Sequence, residues 1–333
     1  MLKIGIMGAG FIGAQHAASY KEIKGAQLVA ILDSNREAGE KLAQEYGCAY
    51  YGDAKEMFEK EELDIVDICL PTFLHEEYVL MAFDYGAHVL CEKPFALSYK
   101  SAEVMVEAAE KANKTLMVGQ VIRFWPEYVE AKELVDNGKL GTIKMAYLSR
   151  MAQHPDWSTW HRDPKKSGGG LFDLHIHDID YLCYLFGDVD QIYAIGEKDK
   201  NGCWNHVLTS LTFKSGARAA AEGAFEMTDN YPFTMTMRLV GHDATFEYNF
   251  IAGFNLENVG GAQRSAVLYN NGQDPQLLKI DETDAYFLEL KYFVEQIAKG
   301  EAVKKALPRH SLYVMKVMEG IQESLEEKKV VKL

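Results

Sequence analysis

The stretch Lys3-Ile4-Gly5-Ile6-Met7-Gly8-Ala9-Gly10-Phe11-Ile12-Gly13 joins a short apolar run to a GxGxxG turn. The run reads as a strand covered on both faces, and the residues after the turn read as a helix. A second apolar run, Leu28–Leu32, ends in Asp33, and that carboxylate lies 20 residues beyond Gly13. Strand, glycine turn, helix and acidic residue at this spacing form a dinucleotide-binding pattern. Gly8 permits the tight turn and Gly10 lets backbone N–H groups approach a pyrophosphate. Gly13 lets helix and strand pack closely, and Phe11 and Ile12 complete the turn at the positive end of the helix. Asp33 is expected to accept hydrogen bonds from the adenosine ribose hydroxyls and to repel a 2′-phosphate, which favours NAD. NADP is the alternative, because Arg36 stands close enough to meet such a phosphate.

Outward from this turn, apolar runs continue to alternate with helical patterns. Strands are expected at Ile65–Leu70, His88–Cys91 and Leu116–Gly119, and helices near 12–24, 35–46, 75–85 and 98–113. Gly25, Gly47 and Gly86 fall where left-handed caps are wanted, and Ser98 where an N-cap is wanted. Residues 1–121 therefore read as an α/β, doubly wound parallel sheet. Residues 122–333 read as an α+β domain on a large, open, mostly antiparallel sheet, with strands at 143–151, 206–213, 218–226, 234–240 and 245–249. Helices are expected near 127–137, 171–186, 284–299 and 310–327, and the last of them can pack back on the first domain.

At 333 residues the chain is long enough for two domains of ordinary size. Its 48% hydrophobic and 25% charged residues exclude disordered and fibrous classes. The formal charge of −14 opposes a nucleic-acid partner. Five cysteines without a CxxC pair argue against a disulfide framework or a zinc ribbon. The first residues lack the pattern of a signal peptide, and no run reaches the ~18 apolar residues of a membrane span. A cytoplasmic protein with no membrane partner is expected.

Two further segments carry chemistry. Glu92-Lys93-Pro94 follows a strand, at the sheet edge where ligands bind in doubly wound folds. Gly168-Gly169-Gly170-Leu171-Phe172-Asp173-Leu174-His175-Ile176-His177-Asp178-Ile179-Asp180 opens a helix with an apolar stripe at Phe172, Ile176, Ile179 and Cys183. Asp173 and His177, four apart, share another face, and a carboxylate beside an imidazole suits a general base. The triple glycine leaves room either for a ligand or for a close backbone contact. Trp157, Trp160 and His161 precede it and fit either stacking on a sugar or buried anchoring.

Taken together, the glycine turn, Asp33, Glu92-Lys93-Pro94 and the GGG-x-x-D-x-x-x-H-x-x-D run resemble the Gfo/Idh/MocA family. The likeness implies a Rossmann domain followed by an α+β domain that commonly builds dimers or tetramers. It implies an NAD(P)-dependent oxidoreductase acting on a hydroxyl of a sugar, inositol or related polyol. Lys93, Asp173 and His177 match its catalytic trio, and Pro71, Thr72 and His75 match a segment near the nicotinamide, beside Glu92 and Lys93. Arg123 matches an arginine after the last Rossmann strand. The chain departs from the family in having Ile122-Arg123 where two arginines are common, then Trp125, and His175 where a glycine is frequent; Arg123, Trp125 and His175 are expected at the substrate, and the departures bear on its identity more than on the reaction. In the implied chemistry His177 is the base, so alcohol oxidation should rise with pH. Two rivals are a metal-dependent hydrolase using the His175-Ile176-His177 pair and an NAD-binding sensor or scaffold without turnover. No metal is expected in the dehydrogenase reading.

Overall fold

A computed structural model describes residues 1–154, 160–252 and 261–333. The chain divides into two compact units, Met1–Trp125 with Thr283–Tyr313, and Pro126–Glu282 with Val314–Leu333.

The first unit runs β1 (Leu2–Met7), α1 (Phe11–Glu22), β2 (Ala26–Leu32), α2 (Arg36–Tyr46), β3 (Ala49–Tyr51) and α3 (Ala54–Lys60). It continues with β4 (Ile65–Ile68), α4 (His75–Asp84), β5 (His88–Glu92), α5 (Tyr99–Ala112) and β6 (Leu116–Gly119). The six strands are parallel in the order β3-β2-β1-β4-β5-β6. The order reverses between β1 and β4, the switch point at which such sheets bind ligands. Every residue of β4 and β6 is buried, as the continuous apolar runs require. The caps also follow expectation: the Ser98 hydroxyl accepts from the Ser101 N–H at 3.1 Å, and Gly25, Gly47 and Gly86 all have positive φ.

The second unit begins with α6 (Pro126–Asp136), β7 (Ile143–Met151), the one-turn α7 (Pro164–Ser167) and α8 (Ile176–Phe186), which a π-helical turn, Leu171–His175, precedes. There follow β8 (Val189–Lys198), β9 (Trp204–Phe213), β10 (Arg218–Ala224), β11 (Thr234–Gly241), β12 (Ala244–Ile251), β13 (Gln263–Asn270) and β14 (Gln276–Leu277). The chain closes with α9 (Ala285–Lys299), α10 (Pro308–Glu327) and β15 (Val331–Lys332). The nine strands take the order β14-β13-β12-β11-β7-β10-β9-β8-β15, antiparallel except for the β7/β10 pair. One buried ion pair fixes α8 to this sheet: Arg150 on β7 donates to both oxygens of Asp178, at 3.2 and 3.0 Å. Arg150 also donates to the Tyr128 hydroxyl at 3.3 Å, so the guanidinium leaves no half-satisfied carboxylate in the core.

Helix α9 belongs with the first unit, where it packs on α1. Leu290, Phe293 and Val294 of α9 join Ile4, Ile6, Tyr20 and Ile31 in one apolar cluster. Burying each of those three contributes about 1.5–3 kcal/mol.

Candidate active site

In the first unit, the site begins where β1 ends. Gly8 has φ +108°, and a Cβ there would sit 2.6 Å from the Cys69 carbonyl oxygen, so only glycine lets β1 and β4 exits approach. A Cβ on Gly13 would lie 1.8 Å from the Gly8 carbonyl oxygen. Gly10 is the opposite case: nothing lies within 4 Å of its Cβ position, and no side chain caps the helix it begins. A helix start without a side-chain cap, beside an open Gly10 Cβ position, suits an incoming pyrophosphate. Asp33 braces this turn, accepting from the Ala9 N–H and the Asn35 N–H at 2.6 Å each. The residues present therefore fit a dinucleotide. Arg36, expected as an NADP contact, is a mostly exposed side chain donating to Glu40 one helical turn on, at 2.8 Å.

The segments after β4 and β5 are tied together by His75. Its Nε2–H donates to the Leu70 carbonyl at 2.8 Å, and Nδ1 lies 3.4 Å from the Phe95 carbonyl. Complete burial lowers the pKa of this imidazole, so it stays neutral and shapes the Pro71-Thr72 loop from behind. Thr72 is buried in the short turn that starts there. Glu92 is buried at the end of β5 and accepts the Lys93 N–H at 3.0 Å. Lys93 is half-buried, and the Lys93–Pro94 peptide is cis. Arg123, expected at the substrate, is 2% exposed and donates to the Lys305 carbonyl at 2.8 Å; its enclosed guanidinium secures the chain that follows α9. Trp125 is half-buried at the end of this stretch.

In the second unit, the triple glycine answers a close backbone contact. A Cβ on Gly169 would meet the Cys203 Cβ at 2.7 Å, and one on Gly170 would meet Asn205 at 3.1 Å. The Gly170 N–H donates to Asn205 Oδ1 at 2.8 Å, while Asn205 Nδ2 donates to Glu226 and Asp199. This anchor sets the start of the segment that carries Asp173 and His177. The regular helix expected from 171 is a π-turn up to His175, a feature common at functional sites. Asp173 remains partly open, and His161 Nε2 stands 3.7 Å from its Oδ2. The structure thus places His161 beside Asp173. Trp160 stacks on the His161 ring with centroids 3.8 Å apart, so it serves as an anchor for that imidazole. Trp157 lies outside the described residues.

His175 corrects a sequence expectation. It was read toward the substrate, yet it is fully buried against the sheet, with Nε2 on the Thr209 hydroxyl at 2.9 Å and its ring over Gly223. Burial first, and then Arg150, drop its pKa to about 3. A ring so enclosed packs the core. His175 and His177 follow one another along a helical segment and diverge by about 200°, which splits the His-x-His pair that a metal would need.

Comparison with known proteins agrees with both halves. Residues 2–120 match the family model described as an oxidoreductase family with an NAD-binding Rossmann fold, and residues 128–247 match the GFO/IDH/MocA C-terminal domain. A myo-inositol 2-dehydrogenase from Thermotoga maritima is 29% identical over 345 residues, covering 100% of this chain and 98% of that protein. A 2,7-anhydro-N-acetylneuraminate hydratase from Mediterraneibacter gnavus is 34% identical over 189 residues, 56% of this chain; the match spans about half the length of that relative and of others at similar identity. The crystal structure of an aldose–aldose oxidoreductase from Caulobacter crescentus superposes with a TM-score of 0.87 at 23% identity, covering 100% of this chain and 99% of that one.

Proposed function

Because the chain belongs to the Gfo/Idh/MocA oxidoreductase family, we propose that it is an NAD-dependent dehydrogenase acting on a hydroxyl-bearing carbon of a sugar, inositol or related polyol. The observation that carries this reading is the glycine turn: an uncapped helix start, open at Gly10 and braced by Asp33, placed at the switch point of the sheet. Gly8, Gly10, Phe11, Ile12, Gly13 and Asp33 would hold the dinucleotide, with Pro71, Thr72 and Glu92 along its nicotinamide half. NAD is the favoured form, since Asp33 repels a 2′-phosphate and Arg36 is engaged by Glu40. When bound, the nicotinamide supplies the hydride acceptor.

The protein's own part is to move a proton and hold charge. His177 takes the hydroxyl proton of the substrate, and Asp173, with His161 beside it, orients and charges that imidazole. The Lys93 ammonium is assigned, from the family resemblance, to steadying negative charge that develops on a substrate oxygen. Lys93→Ala and His177→Ala should each lower kcat by ~10²-fold or more while NAD still binds. Near-normal turnover in either variant overturns the assignment.

The outer face of the second unit's sheet supports a homodimer or homotetramer. Ile195 and Leu208 are direct cross-strand neighbours, 53% and 37% exposed, and Tyr193, Met145, Ile251 and Tyr269 are likewise exposed on that sheet. A patch of this kind normally marks an association surface. All five cysteines are thiols, in keeping with a reducing cytoplasm.

A further inference from the structure

Beneath the glycine turn of the first unit lies a buried set of ionisable groups that, Glu92 apart, the proposed chemistry does not use. His16, on α1 three residues past Gly13, is 0% exposed. Its Nδ1–H donates to Asp67 Oδ2 on β4 at 2.8 Å, and Asp67 is also fully buried. Its Nε2 faces Glu92 Oε1 at 3.4 Å. The Cys69 thiol donates to the other Asp67 oxygen at 3.5 Å. Helix α9 closes the set with the Tyr286 ring 5.6 Å from the His16 ring and with Glu289, whose two oxygens find no hydrogen-bond partner among the described residues. Tyr20 approaches from α1 itself, and Arg123 acts on Glu289.

Three side chains here, His16, Asp67 and Cys69, are types that ligate metals. The 2.8 Å separation of nitrogen and oxygen is a hydrogen-bond length, whereas His16 Nε2 and Glu92 Oε1 face each other at 3.4 Å, an ion-pair distance without hydrogen-bond geometry. A charge clamp describes them better. A neutral imidazole that gives its one proton to Asp67 would turn the Nε2 lone pair on the Glu92 carboxylate; an imidazolium presents an N–H to each side. Burial pulls the His16 pKa down, but Cys69 and then Asp67, through charge and hydrogen bonding, outweigh it and raise it well above 6.5. Burial pushes the Cys69 thiol up as well, and the Asp67 carboxylate is the anion that touches both groups. Glu289, pushed up by burial and by Glu92, stays a neutral acid.

Glu92 is where this clamp meets the proposed site. One of its oxygens faces His16 and the other accepts the Lys93 N–H. Its carboxylate lies over Gly119, where a Cβ would stand 2.6 Å from Oε1. We infer that His16 is a positioning residue for Lys93: held by Asp67, it fixes the Glu92 carboxylate that fixes the lysine turn, and so ties the helix behind the glycine turn to that lysine. The inference rests on the role proposed above for Lys93.

The test combines ring protonation with kinetics. Imidazole nitrogen NMR of the wild-type chain should show His16 with both N–H protons at pH 8; a single N–H overturns the clamp. His16→Asn keeps the donor to Asp67 but cannot reach Glu92. It should lower kcat on a polyol at least ~10-fold while the Kd for NAD moves less than ~3-fold. Adding Glu92→Gln removes the stranded buried charge and, at saturating NAD since Glu92 also lies along the dinucleotide, should raise kcat of H16N/E92Q at least ~3-fold above that of H16N. A pure packing role predicts the reverse, since the second substitution would then add its own loss. H16N within twofold of wild type, or a double variant no faster than H16N, overturns the inference. If the wild type reduces NAD with no polyol, the dehydrogenase reading fails, and the NMR result alone decides whether the clamp stands.

Discussion

Gly10 and Gly13 stand three residues apart in one turn, yet alanine should fail at them for different reasons. At Gly13 the added Cβ meets the Gly8 carbonyl oxygen at 1.8 Å, backbone against backbone, and the turn must open by roughly 1.6 Å to reach ordinary contact. Overpacking of that kind costs about 3 kcal/mol or more, equal to roughly 6–12 °C in Tm for a unit of this size. At Gly10 the backbone sits at φ −76° and ψ −165°, which alanine adopts, and nothing occupies the Cβ position. Folding stability should therefore change by less than ~0.5 kcal/mol. The same methyl group would stand where the pyrophosphate approaches the α1 N–H groups. Losing about 1.5–3 kcal/mol of charge-assisted hydrogen bonding raises the Kd for NAD by ~10–100-fold. Thermal melts and calorimetric titration with NAD separate the two. A Gly10→Ala protein that binds NAD within twofold of wild type refutes the placement of the pyrophosphate. A Gly13→Ala protein with wild-type Tm refutes the packing argument.

Other consequences follow from the same geometry. Replacing Asp33 by Asn should narrow the NAD preference, read as the ratio of kcat/KM for the two dinucleotides, because the charge that opposes a 2′-phosphate is gone. His175 has its folded pKa depressed to about 3 against 6.5 when unfolded, so its contribution to stability is whole above pH 6.5 and is lost as pH falls. Between pH 7 and pH 5 the stability gap between wild type and His175→Gln should narrow by about 2 kcal/mol in urea titrations; a constant gap contradicts the assignment. Asn205→Ala releases the Gly170 N–H and should cost about 1–3 kcal/mol, together with a loss in kcat, since Asp173 and His177 ride on that segment. Ile195→Lys with Leu208→Lys should shift sedimentation toward the monomer, and an unchanged profile removes that face from the assembly.

The Rossmann half was legible because buried parallel strands write continuous apolar runs and the glycine turn has few other uses. The elements that escaped are those whose sequence lacks such a signal. Strand β3 is three residues long and α3 seven, mostly polar, and their register comes from pairing with β2 and from the Asp53 cap. Strand β8 carries exposed Tyr193 and Ile195 among charges, so its alternation is blurred. The π-turn at 171–175 has the composition of an ordinary helix, and the Asn205 that anchors the residue before it lies on β9. Helix α9 showed its apolar face and was expected to pack back on the first domain, but periodicity says only that a face is covered, not that α1 covers it. For the site, spacing placed Asp173 and His177 four residues apart on one segment, and their proposed roles come from the family resemblance. His161 required the fold to bring it to Asp173. His16 looks like any histidine on a helix until Asp67 and Glu92, from two other strands, reach its two nitrogens.

The most direct test follows the hydrogen. The chain should be incubated with NAD and a panel of sugars, inositols and polyols, and the member that yields NADH repeated with deuterium on its carbinol carbon. The label is predicted to appear in the reduced nicotinamide, and to fall by ~10²-fold in rate with Lys93→Ala or His177→Ala. Absence of NADH with every member of the panel, or deuterium lost to water while turnover proceeds, would contradict the account.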